Sequence, residues 1–418
     1  MNALRRPVGR VLTVGLVVLT SVGALAGCGS GDDAARGCGE RAIAFLGPLT
    51  GSDGQFVRTA RNGAELAVRR YNATHPDCPV GLIGFDATVP MPADPADDAS
   101  PTERAAYAEA KARADAVAER IVSEATGDPQ VLGVVGPTFS GDTAVLMPGF
   151  EAAGLGVVSG SATNPALADE GWDAFHRVVG TDAAVAPAVA TFMVDRLRVR
   201  RVSVIDDAGL YGRGLADLAA RDLRAADVAI PVRTSVDPAS VDYRGTVSAT
   251  IDAGVDAVFF GGLSTPAARL IRQLREAGFE GAFVGGDGVY QDEFITAGGA
   301  AAVGAYGSCP CLDATGGSPE RIAFAQEYER TYGTPPGGFA AEYYDAADVL
   351  LQTIENGATT RAAVLDGLRS ADVTGLTKRI SFEANGNVRG GPIYIYRVSA
   401  GRRFVPVATV VDGKLAGG

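Results

Sequence analysis

The order of apolar patterns constrains this chain more than any single motif. Short apolar runs alternate with helical patterns, and the alternation runs twice. "AIAFLG", a helix over about 54–74, "VGLIGFD", a helix over about 101–125 and "VLGVVG" read βαβαβ. That order calls for a parallel sheet with helices on both faces. "RVRRVSVID" at 198–206 opens a second round, followed by the helix after "YGRG", a strand near 229–235, "DAVFFGG", a helix near 264 and "GAFVGG". In the helix near 264, Ser264 or Thr265 is expected to cap the start and Pro266 to take the first helical position. Ala267, Leu270, Ile271 and Leu274 form one face, and Gly278 ends the helix. The expectation is an α/β protein of two lobes with similar layout, one from about 41 to 181 and one from 182 to about 309. Helical patterns over 318–370 and the strands "RISFE", "PIYIYRV" and "FVPVATV" follow without an assigned place. "TVPMPADPADDASPTERAA" reads as a surface loop before a helix.

The N-terminus belongs to a different physical regime. Arg5, Arg6 and Arg10 precede an apolar run from about Val11 to Ala26, which is the pattern of an export signal. The run is short of the ~20 apolar residues that span a bilayer. "LAGC" resembles the lipobox of bacterial lipoproteins. The resemblance implies that residues 1–27 are removed, that Cys28 carries the acyl chains, and that 28–40 is a flexible tether to the membrane. The alternative is an ordinary secreted protein with an incidental cysteine. Residues 1–27 hold three arginines and no acid, so their loss moves the formal charge from −12 to −15. A surface this acidic argues against a nucleic-acid partner.

Cys38, Cys78, Cys309 and Cys311 remain, an even number in an exported chain, which suits disulfides better than a metal. Cys38 opens the first strand pattern and Cys78 the second, and those strands are expected to be neighbours, so Cys38 with Cys78 is favoured. "CPC" then holds Cys309 and Cys311 as a strained local bridge or as two free thiols.

Catalytic chemistry is poorly supplied. There are two histidines, His75 and His176, neither in a recognisable motif. No G-x-S-x-G elbow and no Walker lysine motif appear. Gly47, Gly51 and Gly54 miss the dinucleotide spacing. No enzyme, metal site or cofactor is expected. The chain instead places small hydroxyls at strand ends, where open α/β sheets bind ligands. "VVGPTFSGDT" offers Ser140 and Thr143 before a helix, and "VVSGSATNP" offers Ser161 and Thr163. These residues read as helix caps or as holders of a carboxylate. From the second lobe, "DDAGLYG" brings Tyr211, "FFGGLS" brings Leu263 and "GGDGV" brings Asp287. Asp287 is either a turn cap or the acid that an α-ammonium group needs.

These pieces together resemble the type I periplasmic binding proteins of ABC importers, the leucine/isoleucine/valine-binding branch. The likeness runs from about Ile43 to Asn387 through "FLGPLTG", "NGAELAVRRYN", "VVGPTFSG", "SGSATNP", "FHRVVGTD", "VIDDAGLYGRGLA", "FFGGL", "LIRQLREAGF" and "GGDG". The resemblance implies two Rossmann-like lobes, 41–181 plus 312–372 and 182–311 plus 373–418, joined by a hinge of three crossovers near 180–182, 309–312 and 373–379. It implies capture of a small aliphatic amino acid and delivery to a membrane permease with its ATPase, by a binding protein acting as a monomer. A sensor of the same fold for an amide, urea or another small polar metabolite is the alternative. Carried over residue by residue, Ser140, Ser161 and Thr163 take the carboxylate, Asp287 the ammonium, and Phe56 and Tyr211 the aromatic positions. Leu263 stands where many relatives carry tyrosine. "SCPCLD" falls on the second crossover, where a Cys309–Cys311 bridge is expected to stiffen the hinge.

Overall fold

The computed structural model describes residues 38–50, 54–90, 92, 100–411 and 413–416. The export segment, Cys28 and the first ten residues of the expected tether lie outside the described residues. The first round of alternation forms β1 (Ala42–Gly47), α1 (Gly54–Thr74), β2 (Gly81–Asp86), α2 (Pro101–Gly127), β3 (Val131–Val135), α3 (Ser140–Ala152), β4 (Val157–Ser159), α4 (Ala166–Asp169) and β5 (Phe175–Arg177). The strands lie in the order β2-β1-β3-β4-β5, every pairing parallel. β1 and β3 are buried at every residue, which is why they read as unbroken apolar runs rather than alternating ones. α2 starts where the proline-rich loop ends: Ser100 and Glu103 form a reciprocal capping box and Pro101 takes the first helical position.

The second round forms α5 (Asp182–Asp195), β6 (Arg201–Asp206), α6 (Leu210–Ala225), β7 (Ala229–Ser235), α7 (Arg244–Asp252), β8 (Ala257–Gly261), α8 (Ser264–Glu276), β9 (Ala282–Gly285), α9 (Asp292–Gly298) and β10 (Tyr306–Cys309). β7-β6-β8-β9-β10 repeats the order of the first sheet in parallel. α8 differs from its expected start. It begins at Ser264, the capping position falls on Leu263, and no side chain caps it. The loop is held instead by the Asp207 carboxylate, which accepts the Leu263 N–H at 2.8 Å and so ends the loop earlier than the Ser-Thr-Pro pattern indicates.

The remaining segment supplies α10 (Pro319–Tyr332), α11 (Ala340–Glu355), α12 (Arg361–Arg369), β11 (Asp372–Thr374), β12 (Arg379–Ser381), β13 (Ile393–Val398), β14 (Phe404–Val411) and β15 (Lys414–Leu415). α11 packs along α1 and, with α12, covers the first sheet at β3 and β4. β11 and β12 pair as a small antiparallel hairpin. Arg177 pairs with Asn387, and Ile380, Phe382 and Val388 join the core that also contains α1 and α11. β13, β14 and β15 then extend the second sheet antiparallel from β10, giving it eight strands.

The favoured Cys38–Cys78 pairing is present, and of the two readings of "CPC" the structure has the bridge. Cys38 and Cys78 are bridged, their Cα atoms 5.4 Å apart, and Cys309 and Cys311 are bridged at 5.0 Å, so the two sulfurs of "CPC" are not free thiols. No described helix is long and apolar enough to cross a membrane.

Candidate functional site

In a doubly wound sheet, the first strand and the strand on its far side send their following loops in opposite directions, leaving a crevice at their carboxyl ends. Here that happens between β1 and β3 and again between β6 and β8. One cavity is bounded by loops from both places. From the first sheet and its helices come Phe56, Thr138, Phe139, Ser140, Ser161 and Phe339. From the second come Tyr211, Leu263, Ser264, Asp287, Gly288 and Gln291.

The second-sheet wall is acidic and tightly made. Asp287 is buried, and its Oδ1 accepts the Tyr211 hydroxyl at 2.9 Å; the same phenol oxygen accepts the Gly288 N–H at 3.1 Å. The flanking glycines are what allow this approach. A Cβ on Gly286 would stand 2.4 Å from the Tyr211 hydroxyl, and one on Gly288 would stand 2.4 Å from the Gly262 carbonyl oxygen. Burial pushes the Asp287 carboxyl up to about 7, against the Tyr211 bond that favours its charged form. Behind Leu263, burial likewise pushes Asp207 up to about 6, opposed by the Leu263 and Gly209 amides that it accepts.

The first-sheet wall is neutral and hydroxylic. Ser161 Oγ donates to the Thr138 carbonyl at 2.6 Å and accepts the Tyr343 hydroxyl at 2.7 Å, while Ser140 Oγ accepts the Asn164 N–H at 3.3 Å. Thr138 Oγ1 is buried without a hydrogen-bond partner. Ser140 is also the first residue of α3, whose leading amides have no partner within the helix and favour an anion. The end of the cavity is aromatic. Phe56 meets Phe139 at 5.4 Å between ring centroids and Phe339 at 5.8 Å, edge to face.

Six of the eight residues singled out in the sequence come together here, Phe56, Ser140, Ser161, Tyr211, Leu263 and Asp287, while the Thr143 hydroxyl turns back to donate to the Phe139 carbonyl at 2.8 Å. Thr163 does not line the cavity. It is fully buried behind the first-sheet wall, where its carbonyl accepts the N–H of Asp182 at 3.0 Å. The sequence reading missed Thr138, Phe139, Ser264, Gln291 and Phe339. Thr138 stands two residues before Ser140 in a stretch already noted and was legible there. Phe339 was not, because it reaches the cavity from the turn before α11, far along the chain.

Hydrogen bonds join the walls directly: Asn164 Nδ2 donates to the Leu210 carbonyl at 2.8 Å, and the Phe56 N–H donates to Glu293 Oε1 at 2.7 Å. The histidines stand apart. His176 is buried edge-on to Phe382 with its pKa pushed down to about 4 by burial, and His75 stacks on Tyr71 at 4.2 Å. Among the described residues no group of His, Cys, Asp and Glu is arranged to hold a metal ion.

The profile of the periplasmic binding protein family matches residues 41–403. A leucine-, isoleucine-, valine-, threonine- and alanine-binding protein of Pseudomonas aeruginosa is 26% identical over 355 residues, covering 85% of this chain and 88% of its own. A leucine-binding protein of Thermotoga maritima has the same fold with a TM-score of 0.76 at 23% identity, covering 89% of this chain and 99% of its own. A branched-chain amino acid transporter substrate-binding protein of Streptococcus pneumoniae, solved with isoleucine, gives 0.74 at 22% identity, covering 88% of this chain and all of its own. With the match running through both sheets and every strand-end loop of the cavity, the chain belongs to the periplasmic binding protein family.

Proposed function

We propose that this protein is the extracytoplasmic solute-binding component of an ABC importer, and that it captures a small aliphatic amino acid between two lobes and passes it to the permease. The observation that carries the reading is the division of the cavity. An acid, Asp287, lies on one wall, while on the other a helix N-terminus and the unpartnered Thr138 hydroxyl face a zwitterion's second charge. Phe56, Phe139, Phe339 and Leu263 supply apolar surface for a side chain. The isoleucine in the streptococcal structure and the amino acids named for the Pseudomonas relative support the same class.

In this reading Ser140, Ser161 and the α3 amides take the carboxylate, Thr163 supports that wall from behind, Asp287 takes the ammonium, and Tyr211 holds Asp287 in place. The lobes are 41–181 plus 312–372 and 182–311 plus 373–418. Residues 1–27 act as the export signal, and a lipidated Cys28 holds the protein, as a monomer, at the cell membrane through the 28–40 tether. Binding makes and breaks no covalent bond; the work is selection and closure.

Titration calorimetry with leucine, isoleucine, valine and alanine tests this directly. Asp287→Ala is expected to abolish binding while circular dichroism stays native, since an ammonium buried without its counter-charge costs about 3–5 kcal/mol. A ligand at 100 times its dissociation constant adds about 2.7 kcal/mol of stability, so a thermal-shift series reads the same question. Absence of any response to all four amino acids sinks the aliphatic assignment. Unchanged affinity in Asp287→Ala removes that acid from the site.

A further inference from the structure

Asp182 is the first residue of α5, after the short segment that follows β5. It is fully buried, and neither carboxyl oxygen has a hydrogen-bond partner. Thr163 Oγ1, equally buried, also lacks one, although its nearness favours the charged form of the carboxyl. Three charged or titratable side chains interact electrostatically with this acid. From β5 comes Arg177, whose Nε donates to Asn387 Oδ1 at 2.7 Å and whose Nη1 donates to the Ala162 and Asn164 carbonyls at 2.9 and 2.7 Å. From the loop after β9 comes Asp287, whose charge repels it. From α6 comes Tyr211, which feels both acids. Asp169 on α4 also acts on Arg177, but it is exposed and screened by water.

Arg177 supplies one positive charge, and Asp182 and Asp287 supply two negative ones if both ionise. Burial disfavours an uncompensated charge far more than it disfavours a neutral group. The set therefore needs one more positive charge, and only two species supply it: a proton or a ligand cation. We infer that Asp182 is a second acid standing behind the ammonium position, and that without ligand it and Asp287 hold one proton between them, which the arriving ammonium displaces into solvent. Asp182 acts through the field at Asp287 and Thr163, so it is a positioning residue. The inference rests on the amino-acid reading of the same cavity and deepens it: the site discriminates for a primary ammonium by charge count as well as by contact. Burial and the neighbouring acid both push the Asp182 carboxyl up, which agrees with a held proton.

The test is calorimetric titration of leucine into the full chain at several pH values, in buffers of different ionisation enthalpy. The wild type is expected to release close to one proton per leucine near pH 6, and its affinity is expected to fall about tenfold per pH unit below that. Asp182→Asn is expected to release none and to bind with a nearly flat pH profile, while Asp182→Glu restores the release. A wild type that releases no proton between pH 5 and 7.5, or an Asp182→Asn protein that releases as much as the wild type, overturns the inference. If Asp182→Asn does not fold, the wild-type proton count decides alone.

A ligand-free measurement separates this from the amino-acid assignment. An acid that keeps its proton in the folded state contributes stability at low pH that is lost as pH rises. The unfolding midpoint of the wild type should therefore fall more steeply from pH 5 to 7.5 than that of Asp182→Asn. If no amino acid binds but the slopes differ in this way, the acid pair stands and the ligand assignment falls. Equal slopes overturn the pair.

Discussion

Tyr211 shows how a single hydroxyl can organise a charge. It donates to Asp287 and accepts from Gly288, so it fixes both the acid and the backbone that carries it. Tyr211→Phe keeps the ring and leaves a buried carboxyl oxygen and a buried N–H without a partner, at a cost of about 1–3 kcal/mol. Calorimetry should show leucine affinity lower by about one to two orders of magnitude; a change of less than twofold takes the hydroxyl out of the acid's support. At this scale the sequence was informative wherever a residue sat in a loop directly after a strand. Asp287, Tyr211, Leu263, Ser140 and Ser161 were found for that reason. Asp182 was not, because an acid in the first turn of a helix is the commonest of dipole-complementing residues and nothing local marks it as buried. Its burial comes from packing between distant elements.

Among the elements, α11 has a function that its pattern does not advertise. Glu342 accepts the Leu312 N–H at 3.0 Å, and Asp345 accepts the N–H groups of Leu376 and Thr377 at 2.5 and 2.9 Å. Lys378, whose charge offsets both acids, donates to the Val178 carbonyl at 2.7 Å. One helix thus ties together chain segments at 178, 312 and 376–378, at or beside the stretches where the three crossovers are proposed. Lys378→Met leaves Glu342 and Asp345 facing each other without a cation. Lys378 keeps part of its surface in water, so the loss is expected at the low end of the range for a broken buried pair, about 3 kcal/mol. A urea unfolding series measures it, and a loss under about 0.5 kcal/mol shows that the acids are satisfied by the backbone amides alone. The helical patterns over 318–370 were readable, but their partners were not: periodicity tells which face is apolar, not which sheet that face will meet. The antiparallel addition of β13 to β15 escaped for the same reason, since it depends on which edge of which sheet is open.

For the molecule as a whole, the pH dependence of stability has a definite sign. Burial pushes Asp207 and Asp345 up to about 6 and Glu342 and Asp287 up to about 7, so the folded chain keeps protons that the unfolded chain loses above about pH 4. Each contributes stability that is lost as pH rises toward 7. His176, pushed down to about 4, works the other way, because only the unfolded chain protonates it between about 4 and 6.5. Four acids outweigh one histidine, so scanning calorimetry of the ligand-free protein should show the midpoint falling from pH 5 to 7.5. A midpoint that climbs across that interval contradicts the upward shift of these four acids. The repeated strand order of the two sheets was legible as alternation in the sequence, and it is what sets the two crevices against one cavity. The Cys38–Cys78 bridge matters on this scale too. β1 lies inside its sheet, between β2 and β3, and its entry is bonded covalently to the turn between α1 and β2. Tension applied to the chain before Cys38 is therefore shared between two points of entry, and the strand cannot be peeled from its neighbours one residue at a time from that end.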